Sequence, residues 1–196
     1  NYILEENYCL CRAKNDQYIS HVDRYSVEFD TVICKNCGLV RANKYYKKEN
    51  VIDLYKNYYR KIMSNNAAYI EPFDFFERQI KNSITKFNLI KNKTNIELNN
   101  LKILDLGGGA GGVLKHFKDS NELYLADYFD PYLDYAKTRG INVIKGGIES
   151  ITFKPDIIIL SHVIEHWNDF EYEIKNLINI QKKNHTINYI EFPGID

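Results

Sequence analysis

Between Ile103 and Leu114 the chain reads Ile-Leu-Asp-Leu-Gly-Gly-Gly-Ala-Gly-Gly-Val-Leu. A short apolar run enters a cluster of glycines, and a second apolar segment leaves it. Glycine loses more conformational freedom on folding than any other residue. Such a cluster therefore suits a place where the backbone turns sharply or a ligand comes close. The pattern predicts a buried strand, a tight turn, and a helix from Val113 to Lys118 with free N–H groups at its start. A nucleotide-like ligand belongs over such a turn, at the carboxyl ends of parallel strands.

The pattern then repeats. Strand-sized runs at Leu123–Ala126, Val143–Ile144, Ile157–Leu160 and Thr186–Ile190 alternate with helical stretches at Pro131–Thr138 and Phe170–Gln181. Repeated βα units predict an α/β fold over residues 101–196, a Rossmann-like, doubly wound parallel sheet of five strands. Upstream, Phe73, Phe76, Ile80, Ile84, Phe87 and Ile90 recur at helical spacing behind Pro72. They predict an amphipathic helix packed on the sheet, within a helical connecting segment of residues 46–100. Tyr69, just ahead of it, is a candidate lid.

Residues 1–45 hold all four cysteines, with alternating stretches such as Tyr25–Phe29 that suit a small hairpin. The chain carries 26 basic and 26 acidic side chains, so no bulk attraction to nucleic acid or to an anionic membrane is expected. Its longest apolar run, Ile157–Leu160, is far too short to span a bilayer, and the opening residues show no secretory pattern. A cytoplasmic setting follows as the expectation, and there thiols bind metal more readily than they pair as disulfides.

Cys9, Cys11, Cys34 and Cys37 supply the four thiolates of a tetrahedral structural zinc site. Cys34-Lys-Asn-Cys37-Gly38 has the spacing of a zinc knuckle. Cys9-Leu-Cys11 is one residue shorter and chelates with more strain, with His21 as a reserve ligand. A zinc-ribbon-like module of this size holds little core without metal.

Two cofactor fingerprints overlap in the glycine turn. Gly107, Gly109 and Gly112 fit the dinucleotide pattern. Gly107, Gly109 and Gly111, led by Asp105, fit D-x-G-x-G-x-G. The acid separates them. S-adenosylmethionine (SAM) carries a cationic ammonium and a sulfonium, which a carboxylate favours, whereas a pyrophosphate would be repelled. Asp127 closes the second strand, where a carboxylate accepts hydrogen bonds from ribose hydroxyls of either cofactor.

On these residues the chain resembles the class I SAM-dependent methyltransferases. Asp105, Gly107, Gly109 and Gly111 match the family's first motif, and Asp127 its ribose-binding acid. Gly146-Gly-Ile-Glu149 falls where the family wraps the adenine. Gly147 stands where an acid is common, so the resemblance implies a contact from the Ile148 backbone or from Glu149. Asp156–His166 looks like the fourth strand and its following loop, with Ser161 implied at the cofactor. His162 and His166 are the candidate general bases, Glu165 the acid that orients them, and Trp167 a candidate pocket wall. The family's sixth and seventh strands are not found before Asp196.

The cysteine arrangement, followed by the Tyr55–Tyr59 stretch, resembles the zinc-binding module of sugar C-methyltransferases and bacterial polysaccharide-modifying methyltransferases. This resemblance implies methyl transfer to a small polar acceptor, a nucleotide-linked sugar or a surface-glycan precursor. Two other readings stay open: a partial, inactive methyltransferase-fold binding module, and an NAD-dependent oxidoreductase.

Overall fold

The computed structural model describes residues 4–23, 26, 28–58, 70–94 and 96–193, with the side chains of residues 55, 56 and 182–184 excepted. Tyr69, Tyr59 and Tyr25 lie outside the described residues. The chain divides into two compact units, Asn1–Asp53 and Leu54–Asp196.

The first unit is built of short antiparallel strands. β1 (Leu4–Glu6) pairs with β5 (Lys44–Tyr46), and β2 (Asp16–Val22), β3 (Glu28–Cys34) and β4 (Val40–Ala42) form a three-stranded sheet. Its buried apolar side chains, among the described residues, are Cys9, Val32 and Cys34. Such a core is too small to hold a fold by burial alone, so other forces must close it. One is Arg41, whose guanidinium grips both oxygens of Asp16 at 2.9 and 2.7 Å and donates to the Asn7 carbonyl at 2.9 Å. That fork ties β4 to β2 and to the segment leading to Cys9. Helix α1 (Lys48–Asn57) contains the junction with the second unit.

In the second unit α2 (Pro72–Lys93) precedes a parallel sheet. The strands are β6 (Lys102–Leu106), β7 (Glu122–Asp127), β8 (Asn142–Lys145), β9 (Ile157–Ser161) and β10 (Ile187–Glu191), in the order β10-β9-β6-β7-β8. Every neighbouring pair is parallel. Helices α3 (Asp130–Thr138) and α4 (Phe170–Asn184) complete the βα alternation. The order reverses beside β6, so the crevice of this doubly wound sheet opens over the turn that follows that strand.

The twofold period of a strand sorts the core into two layers. Ile103, Leu125, Ile157 and Ile159 face α2 and α3, where Phe76, Ile90, Tyr132 and Ala136 meet them. Leu104, Leu106, Ala126, Ile158 and Leu160 face the other way, toward Leu177 of α4. Burial on both faces explains why β9 reads as an unbroken apolar run. Tyr132 is fully buried, and its hydroxyl donates to the Ile70 carbonyl at 3.0 Å.

Two expectations differ: on α2, Phe73 and Ile84 are exposed and Ser83 is buried in their stripe instead, and the segment after the glycine turn takes another form. Beyond the glycine turn the chain forms a short 3-10 helix, Gly112–Phe117, instead of an α-helix through Lys118. Leu114 and Phe117 are buried there and β7 begins at Glu122, so the segment returns to the sheet within two turns. Among the described residues no helix is long and apolar enough to cross a membrane.

Ile159→Ala removes branched volume from a side chain with no solvent exposure. It should destabilise the second unit by about 2–5 kcal/mol. Urea unfolding followed by the fluorescence of Trp167, the single tryptophan, measures this.

Candidate functional site

A cavity of about 410 Å³ opens at the carboxyl ends of the strands in the second unit. Its floor is the glycine turn, where Gly107, Gly109 and Gly111 all take positive φ. Gly107 and Gly109 line the cavity. Gly111 lies on the far side of the turn, where an added Cβ would sit 3.0 Å from Ile141, and it shapes the turn from the core side.

Gly108 and Gly109 show why side chains are excluded here. A Cβ on Gly108 would collide with the carboxyl of Asp105, and one on Gly109 would lie 2.5 Å from the ring of Phe75. The turn is thus packed against Asp105 of β6 at Gly108 and against Phe75 of α2 at Gly109. Phe75 is in turn stacked on Tyr132, with ring centroids 4.8 Å apart.

Asp105 does not stand on the cavity wall, so the direct contact expected with a cationic ligand is not available in this arrangement. It shares the face of β6 that α2 covers, and it is 1% exposed beneath Gly108. Its Oδ2 has no hydrogen-bond partner. Burial, reinforced by the charge of Asp127 and opposed by Lys86, pushes its carboxyl up to about 8. Burial thus favours the neutral, protonated carboxyl.

Asp127 does line the cavity. Its Oδ2 accepts from the Gly109 N–H at 2.8 Å, and its Oδ1 accepts from the N–H groups of Tyr128 and Phe129 at 2.7 and 3.0 Å. These bonds fix a carboxylate beside the turn. Gly146, Gly147 and the buried Ile148 form the adjoining wall. There the hydroxyl of Tyr128 donates to Glu149 at 3.1 Å, while burial and the charge of Glu149 raise the tyrosine above its ordinary value and keep it protonated.

The other end of the cavity gathers ionisable groups. Ser161, His162 and His166 line it. His162 has φ of 57°, a left-handed conformation uncommon for a residue with a side chain, and its N–H is tied to the Glu191 carbonyl at 2.8 Å. Glu165 does not line the cavity, but its Oε1 lies 3.6 Å from His162 Nδ1 and 3.9 Å from His166 Nε2. Burial lowers the His166 imidazole, outweighing the raising effect of Glu165, so the neutral ring is favoured. Trp167 is both wall and packing, since it also meets Phe170.

Several wall residues carry no signal in the sequence pattern. Phe75, Gln79, Asn82 and Lys86 of α2 all line the cavity. Lys86, whose side chain is 11% exposed, pairs with Glu191 Oε2 at 2.7 Å, and the Ser161 hydroxyl donates to the same oxygen at 2.8 Å. Burial raises Glu191, but these two bonds outweigh it and leave the carboxyl below its ordinary value. Tyr128 sits beside Asp127 in sequence, and that adjacency is the one hint of its place on the wall.

In the first unit the sulfurs of Cys9, Cys11, Cys34 and Cys37 all lie within 4.8 Å of one another. Adjacent pairs are 3.4, 3.4 and 3.6 Å apart, near the edge of a tetrahedron of Zn–S bonds, about 3.8 Å. Two tight turns present them. Arg12 N–H donates to the Cys9 carbonyl at 2.8 Å, and Gly38 N–H to the Cys34 carbonyl at 2.8 Å, with Arg12 and Gly38 both left-handed. His21 is engaged elsewhere, 2.7 Å from Asp30. The thiols are not equivalent. The backbone bond from Ala13 is the largest influence that lowers Cys11 to about 7. At Cys9 the backbone bond from Cys11 is outweighed by burial and by the neighbouring sulfurs, and the thiol rises to about 12. Four sulfurs this close together are a donor set that would suit a divalent metal.

Residues 104–186 match the family model described as "Methyltransferase domain". The magnesium protoporphyrin IX methyltransferase of Synechocystis PCC 6803, solved with bound SAH (S-adenosylhomocysteine), superimposes with a TM-score of 0.50 at 15% identity, covering 68% of each chain. The YcgJ protein of Bacillus subtilis gives a TM-score of 0.41 at 19% identity, over 47% of this chain and 44% of that one. A SAM-dependent methyltransferase of Methanococcus maripaludis, described as putative, gives 0.44 at 17% identity, over 54% and 52%. The chain thus spans about half the length of these last two proteins. No curated protein matches it. The sheet and its flanking helices have the Rossmann-like methyltransferase fold.

The buried acid makes a test with a defined sign. The ordinary carboxyl value is 3.8 and the folded one about 8, so the fold holds a proton that the unfolded chain has lost. Asp105 therefore costs stability increasingly as pH rises from about 4 to about 8, and the cost is complete above that window. Thermal unfolding of the unliganded protein should show Asp105→Asn gaining on the parent chain across this range, with no gain at the acid end.

Proposed function

We propose that this chain is a SAM-dependent methyltransferase that binds SAM over the glycine turn and methylates a small polar acceptor. One observation carries the reading. A turn stripped of side chains meets a fixed carboxylate, Asp127, at the switch point of a sheet with the methyltransferase fold.

The roles follow from position. Asp127 takes the ribose hydroxyls, from the place on the wall where its backbone bonds hold it. Gly107 and Gly109, which line the cavity, take the amino-acid portion along their backbone. Ile148 and Tyr128 flank the base, with Glu149 as the nearby acceptor for an amino group. Ser161 closes the wall at the end of β9. Asp105 acts from beneath the turn, where a cation above it would favour its ionised form. When bound, SAM supplies an electrophilic methyl group. The chain orients the acceptor, excludes water and holds a base near the reacting atom. His166, favoured as the neutral ring, and His162 are the bases in this reading, and Glu165 orients them.

The acceptor assignment rests on the cysteine module and its resemblance to that of sugar-modifying methyltransferases. A nucleotide-linked sugar or a surface-glycan precursor is the acceptor we infer, in a cytoplasmic setting that keeps the four thiols reduced. We assign a structural zinc to Cys9, Cys11, Cys34 and Cys37, on the chemistry and spacing of the donor set.

Isothermal titration should show binding of SAM and SAH and none of NAD; preference for NAD would overturn the reading. Asp127→Ala should weaken SAM binding by about tenfold or more, as loss of charge-assisted hydrogen bonds requires. Metal analysis of protein purified without chelators should find one zinc per chain, reduced in Cys34→Ser; metal-free protein would refute the zinc assignment.

A further inference from the structure

Helix α2 carries two stripes. Phe76, Ile80, Ser83, Phe87 and Ile90 recur at spacings of four and three, and they are buried or packed against the core. Phe75, Gln79, Asn82 and Lys86 recur at the same spacings, one residue earlier, and line the cavity. The first stripe explains why the helix sits on the sheet. The second is unexplained by packing, because three of its four side chains are polar.

We propose that Gln79 is a positioning residue for the cofactor: it clamps the glycine turn in the shape that accepts SAM. The inference rests on reading this cavity as the SAM site. It goes beyond the family match, which begins at residue 104 and leaves α2 unassigned.

The geometry is specific. Gln79 Nε2 donates to the Gly108 carbonyl at 2.7 Å, and its Oε1 accepts from the Gly112 N–H at 3.1 Å. One side chain thus bridges both ends of the turn. Only a carboxamide presents a donor and an acceptor side by side at this length; Glu offers acceptors alone, Lys donors alone, and Met neither. The helix is also seated close enough for this. A Cβ on Gly112 would collide with the Phe76 carbonyl and lie 2.6 Å from Gln79 Cβ.

The turn needs such a clamp. Its backbone is held by Gly107 N–H to Ala126 and Gly111 N–H to Gly108, at 2.7 and 3.0 Å. Asp127 and Gln79 supply side-chain bonds, to Gly109 and to Gly108 and Gly112 respectively. Glycines restrained by few bonds sample many conformations, and a ligand must then meet the cost of ordering them. A turn already fixed binds more tightly, since that cost has been met in folding.

The test compares SAH binding by isothermal titration in the parent chain, Gln79→Met and Gln79→Glu, at a temperature where all are folded. Met preserves length and bulk but makes neither bond, so SAH binding should weaken about tenfold, the loss expected for two ordinary hydrogen bonds. Glu keeps the bond from Gly112 but sets an anion against the Gly108 carbonyl, and should weaken it at least as much. The Gly112 amide should also exchange with solvent faster in the Met variant. A packing role alone predicts parental affinity for Met, and that result would overturn the proposal. Should Met lower the melting point too far, the Glu variant decides alone. A parent chain that binds NAD in place of SAH overturns the cofactor reading itself, a different result from equal SAH affinity in all three proteins.

Discussion

The carboxyl of Asp105 and the missing side chain of Gly108 compete for one space. Because the acid points to the face of β6 covered by α2, nothing larger than hydrogen fits at Gly108. That steric exclusion lets the turn pack directly on the Asp105 carboxyl. Phe75 closes over Gly109 from the other side, and Asp127 can then reach the Gly109 amide. The cavity floor and the carboxylate fixed beside it both rest on this turn.

Charge is distributed unevenly around the cavity. Asp127 and Glu149 lie toward one end, and Lys86, Glu191, Glu165 and the two histidines toward the other. Glu191 is the hub of the second group. It takes Lys86 from α2 and Ser161 from β9, while its own carbonyl holds the His162 amide. A half-buried acid paired with a cation and a hydroxyl favours its ionised form, and this one fixes three segments to one another. The uncommon backbone of His162 is sustained by that anchorage.

Much of the second unit was legible in the sequence, for reasons specific to its residues. Ile157–Leu160 could only be a strand buried on both faces, and the glycine run could only be a turn leaving the end of a strand. Asp127, Ile148 and Ser161 fall at the cavity because parallel strands end together. The burial of Asp105 is also legible in the alternation of β6, since it shares the parity of the buried Ile103. The cavity stripe of α2 was not readable. Gln79, Asn82 and Lys86 look like an ordinary solvated helix face, and only the fold shows what stands opposite them. The Lys86–Glu191–Ser161 cluster joins segments far apart in sequence, so no local pattern could reveal it. In the first unit cysteine spacing located the sulfur cluster, whereas the matching left-handed turn at Arg12 had no glycine to announce it.

The two stripes of α2 differ in phase by a single residue, about 100° of rotation. Insertion of one amino acid within the first turns of this helix would send Asn82 and Lys86 toward the apolar layer, and loss of one would send Phe87 toward the crevice. Length in this stretch is therefore as constrained as composition. Gln79 keeps both of its bonds to the turn only while that register holds.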